Sequence, residues 1–452
     1  YTECNFSASS AVPAETVGPF HVQIGGDLAD LNAVNQKVQE IKQKGIGAYP
    51  VYVDAWQVWA GFYVDQNTAQ NDITANFITK LGSGDYKVVQ PSPNRIVTVG
   101  ANGETFFIFG SDISSFKINP KVDNNPYILN VNNKNYRGEL EVKRLNGSDM
   151  TVVNVLSLDQ YLYGVVPSEI ESYSHAEALK AQAVAARTYT LNNMGKHNKH
   201  GFDLCTTTSC QVYKGFNGEA QSTNSAVDES KGKVVTYNGK PAQVFYFAAS
   251  GGRTEDVRNV WGSTIPYLKS VEDKYEKKNR EWEVNLTTSK IREILTGKGF
   301  DPGEILSMII IKTAESGRVT ELAIKGTNGE RLYKLQDARF VFNLNSQWYT
   351  ISSDAGVFVG QKGVNAIKMQ VAGKKVRTAS GISTLSASSY ATVLGADNQK
   401  KNVPIVPTSY KLNGKGWGHG IGFSQEGAKG MADAGFKYDQ ILTHYLPGTI
   451  VE

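Results

Sequence analysis

Three cysteines in 452 residues exclude a disulfide-dense scaffold, since Cys4, Cys205 and Cys210 can form one bridge at most. Charge of one sign is also scarce. The 47 Lys and Arg against 43 Asp and Glu leave a net +4 with no basic block, which argues against a nucleic-acid partner. A mildly basic surface still tolerates an anionic cell wall. No apolar run reaches the roughly 20 residues that cross a bilayer. Heptads and solenoid repeats are missing as well. The chain opens on Tyr1 rather than Met, as a trimmed secreted protein would, so an extracellular setting is expected. At this length one core is too few, and two or three domains are expected.

What is present is glycine and a regular supply of turn signals. Residues 1–17 carry no periodicity and read as a tail. Over 18–97 the pattern is strand (FHVQIG), helix (27–44), two strands (AYPVYVDAW and QVWAGFYV), helix (68–81) and strand (YKVVQP). This β-α-β-β-α-β order is that of a small ferredoxin-like domain. The PSPN stretch at 91–94 marks its end. Beyond it, Asn-Gly pairs at Asn102, Asn146, Asn238 and Asn328 each separate two β-like runs, as a two-residue type I′ turn requires. The fold class is therefore α+β: a sheet-rich body over 98–452 with a few helices. Short helices are expected at 288–295, 337–344 and 424–434. The run GKGWGHGIG at 414–422 lacks the spacing and strand-helix context of a phosphate cradle. Its glycines let backbone approach a ligand or another strand.

The segment 165–191, VVPSEIESYSHAEALKAQAVAARTYTL, concentrates the chemistry. Ser174 and Glu177 form a Ser-x-x-Glu capping box ahead of a helix over 176–191. Its alanines permit close backbone approach, so the helix is expected to be buried, and Arg187 then needs a polar partner. Glu169 follows the apolar run VVNVLSLDQYLYGVV. Ser168 and Glu171 make a second Ser-x-x-Glu, and taken alone these residues favour a helix-start role for the acids.

The string GVVPSEI followed by AEALKAQAVAARTY closely resembles the core of the SpoIID family. YRGELEVKRL, CTTTSCQVYKG, YFAASGGRTEDVRNVWG, GKGWGHGIGFSQEGAKGMADAG and ILTHYLPGT resemble further family segments in the same order. The likeness runs from about residue 136 to the end, with a less typical insertion over 286–408. It implies a peptidoglycan lytic transglycosylase with Glu169 as catalytic acid. Arg187, Gln211, Tyr213, Tyr246, Ser250, Gly251, His419 and Tyr445 are implied substrate-binding residues. Where many relatives carry His and Ser, Phe247 and Ala248 stand here. The 18–97 domain resembles the SPOR repeat, which binds bare glycan strands; Trp56, Trp59 and Tyr63 could stack on sugars or simply pack the core.

No cofactor is required by this reading. His200, Cys205 and Cys210 have a spacing that admits zinc, with His197 as a substitute ligand. Zinc-bearing relatives tend to have His just before the second cysteine, where Ser209 stands here. A Cys205–Cys210 disulfide is preferred, with zinc and free thiols left open. The rival function is that of a non-catalytic amidase enhancer, binding wall glycan and promoting a separate cell-wall amidase.

Overall fold

Alternating apolar residues build the first sheet. The structure is a computed structural model that describes residues 4–5, 18–100, 103–112, 115–120, 128–144, 150–359, 367–369, 375–378, 381–384, 390–394 and 399–452. Seven strands are joined in it: β1 (Cys4–Asn5), β2 (Phe20–Ile24), β3 (Ala48–Tyr52), β4 (Trp56–Tyr63), β5 (Tyr86–Val89), β6 (Arg95–Gly100) and β7 (Thr105–Gly110). Their order is β1-β6-β7-β3-β4-β2-β5. Helix α1 (Leu31–Gln43) starts where Asp30 accepts the Ala33 N–H at 2.9 Å, and it lays Val34, Val38 and Ile41 on the sheet. Helix α2 (Gln66–Asp72), capped by Asp65, runs through a π-helical stretch (Ile73–Phe77) into α3 (Ile78–Leu81). The wider turn still places Ile73 and Phe77 in the same core as Val22, Val58 and Ala60.

Two expectations change here. Residue 97 is not a boundary: it lies inside β6, and β7 pairs in parallel with β3 through Val51↔Ile108 and Tyr52↔Phe109, so the hairpin belongs to the first sheet. Nor is 1–17 only a tail, since β1 pairs with β6 through Cys4↔Gly100. Trp59 is 2% exposed and packs with Tyr49, Val51 and Ile108, so it cannot stack on a sugar. Tyr63 donates to Asp72 at 2.5 Å, and Trp56 packs edge-on against Tyr52.

Two of the four Asn-Gly turns fall among the described residues. Asn238 and Gly239 have φ of 52° and 72° between the paired Tyr237 and Lys240, which is the type I′ geometry expected. At Asn328 the register is one residue earlier. Gly326 pairs with Gly329, so Thr327 and Asn328 form the loop. Asn102 and Asn146 lie outside the described residues.

The chain divides into two units, 1–164 with 193–218 and 165–192 with 219–452. In the second, a sheet of Trp282–Thr287, Ser409–Gly414 and Tyr349–Ser353 and another of Ile305–Thr313, Val319–Gly326 and Gly329–Lys334 share one core. Leu286, Ile291, Leu295, Met308, Leu322, Tyr349 and Leu412 lie in it, so much of the 286–408 insertion is a packed element joined to its flanking strands. Helices stand at Thr288–Gly297, Asp337–Phe340 and Gln425–Asp433, the middle one shorter than expected. The GKGWGHGIG run lies along another backbone segment. Trp417 and Ala249 exchange N–H···O bonds of 2.7 and 3.1 Å, and Phe423 N–H donates to Phe245 O at 2.9 Å. Gly422 has φ 76°, and a Cβ there would sit 2.6 Å from Phe245 O. Gly422→Ala is therefore expected to destabilise the second unit by about 2–4 kcal/mol, read as a lowered thermal midpoint. An unchanged midpoint would show that this approach is looser than drawn.

Candidate active site

Glu169 is the last residue of helix α4 (Leu158–Glu169). It is half-buried, and Val165, Val166 and Ile170 beside it are buried. Pro167 contributes no N–H to the last turn, while Ile170 N–H still donates to Val166 O at 3.1 Å. A position at a helix C-terminus overturns the helix-start reading of Ser168 and Glu169. There the unpaired carbonyl ends repel a carboxylate instead of stabilising it.

Neighbouring acids have other duties. Glu171 accepts from Lys429 at 2.7 Å and lies 3.8 Å from Arg280. Burial pushes its carboxyl up, but these cations outweigh that and hold it below the usual value. Ser174 and Glu177 do not form the expected capping box. Helix α5 (Ala176–Asn193) begins with His175 Nδ1 accepting the Glu177 N–H at 3.2 Å. Ser174 Oγ is buried without a hydrogen-bond partner among the described residues. Glu177 accepts from Tyr438 N–H at 3.0 Å and pairs with Lys180 at 3.3 Å.

Helix α5 is buried nearly all round, as its alanines foretold. Arg187 is 2% exposed, and its guanidinium donates to the carbonyls of Ser230 (2.8 Å), Val227 (3.1 Å) and Lys233 (3.2 Å). These carbonyls lie in and just beyond the last turn of α6 (Gln221–Glu229), where a cation is favoured. Of the two roles open to it, substrate grip or backbone network, the geometry fits the network.

The remaining candidates fall in both units. In the first, Gln211 is fully buried and donates to the Tyr161 hydroxyl at 3.2 Å. Tyr213 donates to Asn154 at 2.6 Å and lies 5.3 Å from the Tyr161 ring. In the second, Tyr246 is half-buried against Tyr189. Ser250 and Gly251 face a carboxylate of the chain itself. Their N–H groups donate to the Glu276 carboxylate at 2.9 and 3.0 Å, and the Ser250 hydroxyl joins them. Burial raises the Glu276 carboxyl above its ordinary value despite these donors. Glu276 sits in the polar run EDKYEKK, which offers no periodic signal that could single it out. Tyr445 is fully buried with its hydroxyl on Asp273 at 2.7 Å, so it is framework rather than groove. His419 is held at both ring nitrogens. Nδ1 accepts from Ile421 N–H at 3.0 Å, so Nε2 carries the proton and donates to Tyr246 O at 3.1 Å. Burial, with Arg339 and Arg318 adding to it, lowers this imidazole to about 3.

His197, Cys205 and Cys210 bring one ligand atom each within 4.8 Å of one another. His200 is not in that group; it lies in the 3₁₀ turn Asn198–His200. Both cysteines are free thiols, so the preferred disulfide is not what the structure shows.

Residues 146–237 match the SpoIID family, described as Stage II sporulation protein. The amidase enhancer of Bacillus subtilis (strain 168) is 33% identical over 305 residues, 64% of this chain and 40% of the relative. An uncharacterized protein of Brachyspira hyodysenteriae (strain ATCC 49526 / WA1) is 29% identical over 320 residues, 70% of this chain and 72% of its own. The Bacillus subtilis stage II sporulation protein D is 27% identical over 317 residues, covering 66% of this chain and 75% of that protein. The chain thus spans well under half of the amidase enhancer and about three quarters of the other two.

His419 makes folding pH-dependent. An unfolded imidazole titrates near 6.5, whereas the folded value of about 3 is lower, so folding favours the neutral ring. That contribution is complete above pH 6.5 and is lost as pH falls toward 3, by about 1.4 kcal/mol per unit in between. His419→Gln should flatten the pH dependence of unfolding between pH 6 and 4 by about one proton. Equal slopes for variant and wild type would contradict the assignment.

Proposed function

The chain belongs to the SpoIID family, and from that premise we propose that it cleaves the glycan backbone of peptidoglycan as a lytic transglycosylase. The observation that carries the reading is the setting of Glu169: half-buried, among buried apolar neighbours, at the negative end of α4. Each of these factors favours a protonated carboxyl. Protonated Glu169 donates to the oxygen joining N-acetylmuramic acid to N-acetylglucosamine, and the C1–O bond breaks. The carboxylate then takes the proton of the muramyl C6 hydroxyl, whose oxygen bonds to C1. The products are a free GlcNAc hydroxyl and a 1,6-anhydro-muramyl end, with no water consumed. The N-terminal sheet, read as SPOR-like, would hold the same strands through groups other than Trp59. The working place is the cell wall, outside the cytoplasmic membrane; among the described residues no helix is long and apolar enough to cross one.

Digestion of purified glycan strands tests this. Wild type should release anhydro-muramyl ends, and Glu169→Gln should lose about two to four orders of magnitude of rate while still sedimenting with glycan. Equal rates would remove Glu169 from the chemistry. The second reading, a non-catalytic enhancer, is favoured by the name of one relative. It predicts strands left uncut by wild type, bound by it, and cut faster by an added amidase.

His197, Cys205 and Cys210 would hold zinc if it binds. A tetrahedral site wants its ligand atoms about 3.5–3.8 Å apart, so the group needs only a small contraction. The ion would brace the 197–210 loop and takes no part in the proton transfers above. Protein never exposed to a metal-loaded resin should then carry about one zinc per chain, and Cys210→Ser should lower both the zinc content and the thermal midpoint. Metal-free protein with two fewer titratable thiols would favour the disulfide.

A further inference from the structure

The five residues after Glu169 present an aromatic ring to solvent on an unusually well-held turn. Tyr173 is 86% exposed, the highest value among the exposed large hydrophobic side chains, and it makes no hydrogen bond or ring contact among the described residues. Its backbone is held all around. Ser174 N–H closes a β-turn on Glu171 O at 3.0 Å, which makes Ser172 and Tyr173 the central pair. Ser172 O accepts the Ser222 hydroxyl at 2.6 Å. Glu171 is gripped by Lys429 at 2.7 Å and faces Arg280 at 3.8 Å. Both cations are themselves fixed by Glu426, at 3.0 and 2.5 Å. Arg280 even holds a left-handed φ of 47°, which a side chain rarely adopts without a structural reason. On the amino side Ile170 is buried, and on the carboxyl side Glu177 is tied to Tyr438.

A mobile loop that exposes a tyrosine is unremarkable, because the ring can fold back onto the surface. A turn fixed by two cations, a hydroxyl and a buried isoleucine fixes where the Tyr173 side chain leaves the backbone, and from there the ring stands in solvent. Four residues of chain span at most about 14 Å even when extended, and the turn shortens that. The Tyr173 backbone therefore lies within about 14 Å of that of Glu169, a span of about three sugar rings at most. Resting on the glycan-cleaving reading above, we infer that Tyr173 is a sugar-stacking residue that receives the apolar face of a pyranose ring beside the reacting bond. Lys429 and Glu171 are the positioning residues that keep the ring presented. A flat, uncharged, hydroxyl-tipped ring suits a neutral acetamido sugar, whose C–H face stacks and whose hydroxyls hydrogen-bond.

The test uses the full chain and purified, peptide-free glycan strands. In the Glu169→Gln background, which separates binding from cleavage, adding Tyr173→Ala should weaken co-sedimentation about three- to tenfold, and Tyr173→Trp should keep or strengthen it. In otherwise wild-type protein, Tyr173→Ala should raise KM by a similar factor and leave kcat nearly unchanged. Lys429→Met should reproduce the loss and Lys429→Arg should restore it. If wild type cuts glycan and Tyr173→Ala binds and cuts equally well, this inference alone falls. If the Glu169→Gln parent does not bind glycan at all, the functional reading fails first and takes this one with it.

Discussion

The second unit depends on a buried guanidinium that ends a helix. Arg187 reaches out of the alanine face of α5 and takes three carbonyls at and beyond the C-terminus of α6. Ser230 O also accepts the Lys233 N–H at 3.1 Å and Val227 O the Ser230 hydroxyl at 3.3 Å, so the guanidinium adds a charged donor to carbonyls that are already bonded once. A lysine could not span them, since its single ammonium lacks the planar fork. Small residues are needed around it: Ala183 and Ala186 are fully buried, and bulk there would push α5 away from its neighbours. Sequence, packing and polar satisfaction therefore bear on the same helix, the one that follows the proposed catalytic acid.

The same device appears again under the glycine run. Arg318 is 1% exposed and donates to Ser250 O at 2.6 Å and Arg253 O at 2.7 Å. Burial lowers it to about 10, which still leaves it charged at neutral pH. Glu276 answers from the other side by taking the N–H groups of the same Ser-Gly-Gly loop. A motif that looks like a ligand cradle is thus filled from within, its donors facing one carboxylate and its carbonyls one guanidinium. His419 is held separately, by Tyr246 O and the Ile421 N–H.

How much of this could be read beforehand followed the range of the interactions. The stop of helix α1 at Gly45 is legible because a 3-4 apolar stripe and a left-handed glycine are local signals, while its start lies four residues later than the expected 27, where Asp30 caps it. The burial of α5 was legible from its alanines. The capping boxes were misread because Ser-x-x-Glu is satisfied by other partners here: Lys429 and Tyr438 lie more than 250 positions away. His197 outranked His200 because the chain turns back between Gly195 and Asp203, which spacing along the sequence cannot show. The partners of Ser250 and Tyr445, Glu276 and Asp273, sit in a run with no pattern of its own, so no local signal points to these contacts.

Two acids close to the proposed proton donor are committed to cations. Glu171 and Glu177 each meet a lysine within 3.3 Å, and both are held below the ordinary carboxylate value although burial opposes it. A carboxylate stabilised by a cation is a weak general acid near neutrality, because the charge that binds it disfavours its protonated form. Glu169 sits in a different backbone setting. It closes a helix, where the backbone dipoles disfavour the anion, and its sequence neighbours are buried valines and an isoleucine. A single donor is sufficient when the nucleophile is a hydroxyl of the sugar itself, since no second carboxylate is then needed to activate water. The pairing of Glu171 and Glu177 with lysines is therefore consistent with a one-acid mechanism, and it also fixes the turn and the helix on either side of the segment that Glu169 begins.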